Sequence, residues 1–216
     1  MSTITVHGRA TSSNVQTVMW CAAELGLEVE RLDGGPFGGT RTPDYLAMNP
    51  NGLVPTVQIG DETLFESAAI VRCLAAMHGD EAFWPADPLA RARLDTWAEW
   101  GKVTFGAAFI APVFIPLVRL SEAQRDVAAL ETAIGGLNAV VKILDDHLAT
   151  SPWIGGTFSF ADIVPGHLLY RLHELQATGE LTLAPHPNVT RYYEALKGRP
   201  AFAEHVMISF DGLRPK

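Results

Sequence analysis

Strand-like segments occur only in the first third of this 216-residue chain, and helical patterns fill the remainder. The predicted elements are, in order, a strand at 3–7, a helix at 14–25, a strand at 27–32, a short helix at 42–48, a hairpin over 54–65 that turns at Gly60-Asp61, and a helix at 67–77. Two strands joined by a helix, followed by a hairpin and a covering helix, predict a small α/β domain over residues 1–80.

No strand pattern follows the proline-bounded segment 81–88, which we interpret as a linker. The predicted helices are one over about 89–110 that Pro112 and Pro116 interrupt, one that Ser121 opens through a capping box with Gln124, one that Ser159 opens with Asp162 reaching back, and one over 188–198. Residues 89–216 are therefore expected to form an all-α domain, so the fold class is α/β followed by all-α.

The charge and composition of the chain argue against several classes of partner. The net charge is −8, from 16 Lys and Arg against 24 Asp and Glu, and no basic cluster marks a nucleic-acid site. No apolar run approaches the ~20 residues of a membrane span, and the N-terminus lacks the pattern of a signal peptide, so we expect no membrane partner. The predicted location is the cytoplasm, with Cys21 and Cys73 as buried, reduced thiols.

The histidines, the serine motifs and the glycine-rich segment give little support for a metal site, a hydrolase site or a phosphate-binding loop. Seven histidines include no set at metal-ligand spacing, so no metal site is expected, and the GxSxG motif of hydrolases is absent. The glycine-rich segment 34–39 has Thr40 where a phosphate-binding loop needs lysine. We interpret this segment as a mobile loop over a site.

The segment "GRATSSNVQTVMW" at residues 8–20 places more cap-like residues before a helix than the helix needs. A helix N-terminus exposes unpaired amides and the positive end of the helix dipole, which together favour an anion. One of Ser12, Ser13 and Asn14 is expected to cap the helix, and another could donate to an external anion such as a thiolate. The pattern leaves the choice among the three residues open.

A second strand-to-helix junction, "FES" at residues 65–67, carries Glu66 and Ser67. In a purely structural interpretation, Ser67 is the N-cap of the helix. In a functional one, its hydroxyl and the first helix amides hold a carboxylate, while Glu66 accepts from an ammonium group. A ligand with amino, carboxylate and thiol groups fits both junctions. A cis Val54-Pro55 bond nearby would turn the backbone of Val54 outward, towards a peptide ligand.

Together these motifs resemble the cytosolic glutathione transferase family over essentially the whole chain. The matching segments are "NPNGLVPTV", "LFESAAIVRCLA", "FSFADI" and "NVTRYYEALKGRPAF", which occur in the order typical of the family. The resemblance implies a thioredoxin-like domain followed by an all-α domain. Residues 8–20 are similar to the bacterial members related to the theta and zeta types, which use serine rather than tyrosine.

The resemblance implies a place for two parts of glutathione. A cis Val54-Pro55 would bind the cysteinyl part through its backbone, and Glu66 and Ser67 would hold the γ-glutamyl end. Glutathione would be a co-substrate, and the family resemblance implies no metal.

The resemblance also implies the chemistry. Ser12 takes the place of the catalytic serine, with Ser13 and Asn14 as alternatives, and its hydroxyl donates to the glutathione sulfur. The thiolate then attacks an electrophilic carbon of a hydrophobic small molecule. Its pocket is expected between the domains, where the helical half contributes the candidate lining residues Phe105, Phe109, Phe114 and Tyr170.

Two other functions stay open from the sequence. A glutathione-dependent lyase, dehalogenase or isomerase would use the same thiolate on a specific metabolite. A non-catalytic interaction module would have no need of Ser12, Glu66 and Ser67, yet all three are present. We therefore expect an enzyme, a detoxifying glutathione S-transferase that forms a homodimer.

Overall fold

The computed structural model describes residues 3–34 and 39–215, so most of the predicted loop at 34–39 lies outside the described residues. The first part of the chain contains β1 Ile4–His7, α1 Ser13–Glu24, β2 Val29–Leu32, α2 Pro43–Met48, β3 Thr56–Ile59, β4 Glu62–Phe65 and α3 Ser67–His78. This order confirms the predicted succession of strands and helices in the α/β part.

The four strands form one sheet in the order β2-β1-β3-β4. Strand β1 is parallel to β2 and antiparallel to β3, and Val6 pairs with Val57 across β1 and β3. Helix α1 packs on α3, and the buried cluster beside the sheet includes Val15 and Val18 of α1. Because α1 is the crossover between two parallel strands, its N-terminus lies at the carboxyl end of β1.

The second part of the chain is helical and contains α4 Pro88–Arg119, α5 Val127–His147, α6 Phe160–Ala177, α7 Pro187–Lys197 and α8 Pro200–His205. Helix α6 is buried along most of its length and packs on α1 and α4, which makes it the centre of this part. The predicted fold class, a thioredoxin-like α/β part followed by an all-helical part, is confirmed. The domain limits 1–80 and 89–216, with a linker at 81–88, stay predictions.

Pro112 and Pro116 do not interrupt the long helix, contrary to the sequence prediction. Helix α4 continues past both prolines through two wider, π-type turns, and the second of these, Ile110–Phe114, contains Pro112. At its end the N–H of Ile115 donates to the carbonyl of Ile110, five residues back. The wider turn makes room for a proline ring that would clash inside a regular α-helix.

The capping box predicted at Ser121 begins a single 3-10 turn, Glu122–Gln124, and does not begin the long helix. An extended residue follows this turn, so α5 begins only at Val127. Its cap is Asp126, whose carboxylate accepts from the N–H of Ala129 at 3.0 Å. The predicted capping box between Ser121 and Gln124 is therefore confirmed, and the prediction that it begins the long helix is wrong.

The start of α6 is closed by its own side chains, as predicted. The Ser159 hydroxyl accepts from the N–H of Ala161, and the N–H of Ser159 donates to the Asp162 carboxylate at 2.9 Å. Asp162 also accepts from the N–H of Ile154 at 3.0 Å and the hydroxyl of Tyr192 at 2.9 Å. Burial raises the pKa of Asp162 to about 6, although all of these hydrogen bonds act to lower it.

Two helical stretches, Pro88–Arg119 and Val127–Thr150, are long and apolar enough to cross a membrane by length and composition. This differs from the expectation that no apolar run approaches that length. Core helices of soluble proteins pass the same test, and both stretches contribute residues to the buried core. The absence of a membrane partner stays a prediction.

Candidate functional site

The β1–α1 junction presents two serine hydroxyls to a cleft. Ser12 occupies the N-cap position of α1 with an extended backbone (φ −78°, ψ 123°), but its side chain makes no capping hydrogen bond. Within residues 3–34 and 39–215, the hydroxyls of Ser12 and Ser13 have no hydrogen-bond partner. Contrary to the sequence prediction, neither serine caps α1, so the first amides of the helix are left for an external anion.

Gly8 allows this junction to form. Its φ of +151° is unfavourable for residues with a side chain, and an added Cβ would lie 2.4 Å from Val15 Cγ2 and 3.0 Å from Val54 Cβ. Only glycine therefore lets the chain pass between α1 and the segment that holds Val54.

The β4–α3 junction is joined to the β1–α1 junction by a hydrogen bond. Glu66 adopts a φ of +69°, a left-handed conformation that is strained for a residue other than glycine. Glu66 is also the N-cap residue of α3, which corrects the assignment of that position to Ser67. Ser67 is buried, and its hydroxyl donates to Asn14 Oδ1 at 3.2 Å. Asn14 therefore connects the two junctions and makes no hydrogen bond to the hydroxyl of Ser12 or Ser13.

Lys102, from the middle of α4, completes this cluster from the helical part of the chain. Its ammonium donates to Asn14 Oδ1 at 3.1 Å and to Ser67 Oγ at 3.3 Å. Burial lowers the pKa of Lys102, while the charges of Glu66 and Glu99 raise it. A cavity of about 290 Å³ lies here, and Lys102 and Asn14 contribute to its walls. Sequence reasoning missed Lys102, whose only signal was a lone cation in the apolar run 100–118.

The segment before β3 holds Val54 at the cleft. The Tyr45 hydroxyl and the Asn49 amide both donate to the carbonyl of Leu53, at 2.8 and 2.9 Å. The Val54-Pro55 peptide is cis, as the family resemblance implied. Val54 contributes to the wall of the cleft, and Pro55 is buried behind it.

The cleft itself has a volume of about 570 Å³, in the range of small-molecule sites. It is lined by Arg9, by residues 11–14, 40–41 and 52–54, and on the helical side by residues 110, 114, 115, 119, 171 and 213. It brings together Ser12, Ser13, Asn14, Val54 and Phe114 of the predicted site. Ser67 does not line the cleft but is hydrogen-bonded to Asn14, which does, and Glu66 is the neighbour of Ser67 in the chain.

Four arginines line this cleft, and no carboxylate is found among its described lining residues. Arg171 is 2% exposed, and its guanidinium donates to Gln16 Oε1 at 2.6 Å and to the carbonyl of Thr11 at 2.9 Å. Burial lowers the pKa of Arg171 to about 10, with Arg119 and Arg9 contributing in the same direction. The guanidinium therefore stays charged at neutral pH and fixes the loop that leads into Ser12.

Three of the four aromatic residues proposed for the electrophile pocket do not line the cleft. Phe105 and Phe109 are fully buried and stack on each other with ring centroids 6.1 Å apart, so they do not line the cleft. Phe114 lines it at the level of Arg171. Tyr170 is buried against Phe210 and is not part of the cleft wall. The sequence pattern could not separate these residues, because an apolar helix position can face a core or a cavity.

In the parts of the chain that the structure describes, no group of three or more His, Cys, Asp or Glu side chains could hold a metal ion. A reaction without a metal stays a prediction. The two cysteines are free thiols, Cys21 buried and Cys73 partly exposed, and burial raises the pKa of the Cys21 thiol.

Comparisons with known proteins agree with this geometry. Residues 11–77 match the family "Glutathione S-transferase, N-terminal domain", and residues 98–195 match "Glutathione S-transferase, C-terminal domain". Glutathione S-transferase GstB of Escherichia coli (strain K12) is 38% identical over 209 residues, covering 95% of this chain and 98% of that protein.

Two further relatives extend the comparison. The crystal structure of the theta class glutathione S-transferase from Xanthomonas axonopodis pv. citri, with glutathione bound, has a TM-score of 0.89 and 38% identity, and the match covers 97% of this chain and 99% of that one. Elongation factor 1-gamma of Prunus avium is 30% identical over 206 residues, but the match covers 47% of that protein against 92% of this chain. The chain therefore belongs to the cytosolic glutathione S-transferase family, as its motifs predicted.

Proposed function

We propose that this protein is a serine-type glutathione transferase: it binds glutathione, stabilises the thiolate with the Ser12 hydroxyl and adds the sulfur to an electrophilic small molecule. The position of Ser12 carries this proposal. Ser12 stands at the N-terminus of α1, lines the cleft and has a hydroxyl that makes no capping bond. The first turn of α1 contains no acidic residue, so the helix does not supply its own anion.

Each part of glutathione has a matching group along the two junctions. The backbone of Val54, beside Ser12 in the cleft, would pair with the cysteinyl part. Glu66 would accept from the γ-glutamyl ammonium, while Ser67 and Lys102 would donate to the γ-glutamyl carboxylate. Arg41 lines the cleft beyond Val54 and would meet the glycyl carboxylate, a contact that the sequence did not identify.

The chemistry follows from the acidity of the thiol. A glutathione thiol resembles a free cysteine, with a pKa of about 8.5, and is mostly protonated at neutral pH. A lower pKa by one unit requires about 1.4 kcal/mol, which a charge-assisted hydrogen bond from Ser12 and the dipole of α1 can together provide. The thiolate sulfur then forms a bond to the electrophilic carbon, and a leaving group departs with the electron pair of the broken bond.

The wider assignment is a homodimeric, cytoplasmic enzyme of detoxification. Exposed apolar side chains on the α/β part and on α4 are consistent with a partner surface; they include Phe65, Met77, Leu89 and Val103. Light scattering on the purified protein tests the dimer, which would be contradicted by a monomer at micromolar concentration.

The similarity to elongation factor 1-gamma makes a non-catalytic interaction module the second candidate. The open Ser12 hydroxyl and the 570 Å³ cleft favour an enzyme, because a module needs neither. A glutathione-dependent lyase, dehalogenase or isomerase would share the thiolate site and differ only in its electrophile.

Calorimetric titration with glutathione at millimolar concentration tests the proposed site. We expect saturable binding that Glu66→Gln weakens about tenfold, since the side chain loses a charge-assisted bond to the ligand ammonium. Glu62→Gln removes an exposed carboxylate from the same hairpin and should leave binding unchanged. No detectable binding would contradict the proposed function and favour the interaction module.

A further inference from the structure

Three arginines from distant parts of the sequence line the cleft. Arg9 follows β1, Arg119 ends α4, and Arg171 lies in the middle of α6. All three line the same cavity as Ser12 and Phe114. Since the sequence distances between them are large, only the fold brings these charges together.

From this arrangement we propose that the electrophile itself is an anion, a small molecule with a carboxylate or comparable acidic group that Arg9, Arg119 and Arg171 bind while its reactive carbon faces the glutathione sulfur at Ser12. This inference rests on the proposed function and names its substrate class. It replaces the hydrophobic electrophile expected from the sequence with an acid that has an apolar skeleton.

The charges around this group favour an anion over a neutral ligand. Burial lowers the pKa of Arg9, and the positive charge of Arg119, in the same cavity, contributes in the same direction. Asp33 raises the pKa of Arg9 but does not line the cleft. The acceptors of Arg171, on Gln16 and Thr11, are neutral, so they satisfy its donors without cancelling its charge.

Several arginines elsewhere in the chain are paired with carboxylates, and others donate to backbone carbonyls, as Arg125 does to Pro116 and Leu117. Arg72 bonds to Asp95 at 2.6 Å, Arg199 to Glu24 at 2.6 Å and Arg214 to Glu180 at 2.8 Å. Arg119, in contrast, has no hydrogen bond or ion pair to any residue within 3–34 and 39–215. In a chain with a net charge of −8, a cleft with several cations and no carboxylate among the lining residues that the structure describes is a local exception that suits an acidic ligand.

The glutathione contacts proposed above do not use these three arginines. The γ-glutamyl end is assigned to the cavity at Lys102, and the glycyl end to Arg41. Of the three arginines, Arg171 lies beside Phe114, with its guanidinium carbon 5.5 Å from the ring centroid, and Arg9 and Arg119 line the same cavity. A planar acid would place its skeleton on this apolar wall and its acidic group against the guanidinium forks.

The reaction with such a substrate balances without a further reactant. For an acid that carries a halogen on its reactive carbon, the glutathione thiol releases its proton to solvent, the thiolate sulfur forms a bond to that carbon, the carbon–halogen bond breaks, and the halide leaves with its electron pair. The acidic group is unchanged, and the product is an anionic glutathione thioether.

A matched pair of ligands tests the charge requirement. The ligands are S-(4-carboxy-2-nitrophenyl)glutathione and its methyl ester, which differ in the negative charge and not in the ring. We expect calorimetry to show that the wild-type protein binds the acid at least about tenfold more tightly than the ester. The corresponding substrates, 4-chloro-3-nitrobenzoate and its methyl ester, test turnover, with each rate divided by its uncatalysed rate.

Arg119→Gln should remove most of this preference by weakening the acid alone, because the ester has no charge for Arg119 to bind. Arg93→Gln removes an exposed cation from the same helix α4 and should preserve the preference. Thermal unfolding is measured on both variants to check that they fold. Arg171 is not varied, since its loss would also disturb the loop at Thr11.

The outcomes separate the inference from the proposed function. Equal binding of acid and ester, or a preference for the acid that Arg119→Gln leaves intact, would overturn the inference while leaving the glutathione site unaffected. A preference for the acid without turnover of either chloride would support the anion site and contradict the transferase activity. If neither thioether binds, both the glutathione site and the inference are wrong.

Discussion

Ser12 and Ser159 both stand at the N-cap of a helix, and the structure uses them in opposite ways. Ser159 is fully buried, its hydroxyl accepts from the N–H of Ala161, and Asp162 supplies a negative charge in the first turn of α6. Ser12 is partly exposed, its hydroxyl makes no capping bond, and the first turn of α1 has no acidic residue.

The difference teaches what separates a structural cap from a binding site. A helix N-terminus needs acceptors for its free amides and favours a negative charge. Helix α6 satisfies both needs internally, so its serine contributes to stability. Helix α1 leaves both unmet beside a cleft, so we expect an external anion, the glutathione thiolate, to meet them.

The largest expected effect is the loss of the Asp162 network. Asp162→Asn replaces an acceptor of four donors with a group that is itself partly a donor, so buried N–H groups lose partners. We expect the free energy of unfolding to fall by about 3 kcal/mol, with unchanged kcat and KM for the folded enzyme. Urea unfolding at neutral pH measures the loss. A stable variant with impaired catalysis would contradict the structural role assigned to the N-terminus of α6.

The raised pKa of Asp162 adds a pH dependence with a defined sign. Its pKa is about 6 in the folded protein and about 3.9 when unfolded. A group with a raised folded pKa contributes its stability fully below the unfolded value and loses it as the pH rises through the folded value. The wild-type protein should therefore gain stability over Asp162→Asn as the pH falls from 7 to 4, by up to about 3 kcal/mol. The opposite trend would mean that the hydrogen bonds outweigh burial.

The next largest effect is expected at Ser12. Ser12→Ala removes the proposed donor to the thiolate, so kcat should fall about 100-fold, while the dissociation constant for glutathione changes little. The thiolate absorbance of bound glutathione should shift to higher pH, since the donor that stabilises the charged form is gone. Ser13→Ala is the matched control. Equal losses in kcat and binding would contradict the assigned role, and an unaffected rate would move it to Ser13 or Asn14.

Lys102→Gln should give a smaller effect that is confined to binding. If Lys102 holds the γ-glutamyl carboxylate, glutathione should bind about tenfold more weakly, with kcat at saturation nearly unchanged. Lys142→Gln removes an exposed lysine on α5 as the control. Because burial lowers the pKa of Lys102, its contribution to glutathione affinity should be lost at a lower pH than the contribution of an ordinary lysine would be. A fall in kcat at constant affinity would place Lys102 at the sulfur instead.

The sequence predicted the caps and turns that depend only on residues close together in the chain. The box at Ser159 and Asp162, the turn at Gly60 and the proline at the start of α2 are set within a few positions, and all are confirmed. The site residues contributed by the helical part depend on contacts across the fold. Lys102 meets Asn14 from 88 positions away, and Arg171 meets the carbonyl of Thr11 from 160 positions away. Helical periodicity places these residues on a helix but does not predict which distant residues they contact.

The smallest effect tests the comparison most directly, since it applies the same substitution to both serines. Ser159→Ala removes a capping acceptor, so we expect a loss of about 1 kcal/mol in the free energy of unfolding. Ser12→Ala removes a hydroxyl that makes no capping bond, so its effect on stability should stay within about 0.5 kcal/mol.

The catalytic results should be reversed: Ser159→Ala should conjugate glutathione at the wild-type rate, and Ser12→Ala should not. Paired urea titrations and rate measurements on the two variants decide the matter. If both variants lose the same stability, Ser12 is a cap in solution, and the thiolate must be stabilised by the amides of α1 without its hydroxyl.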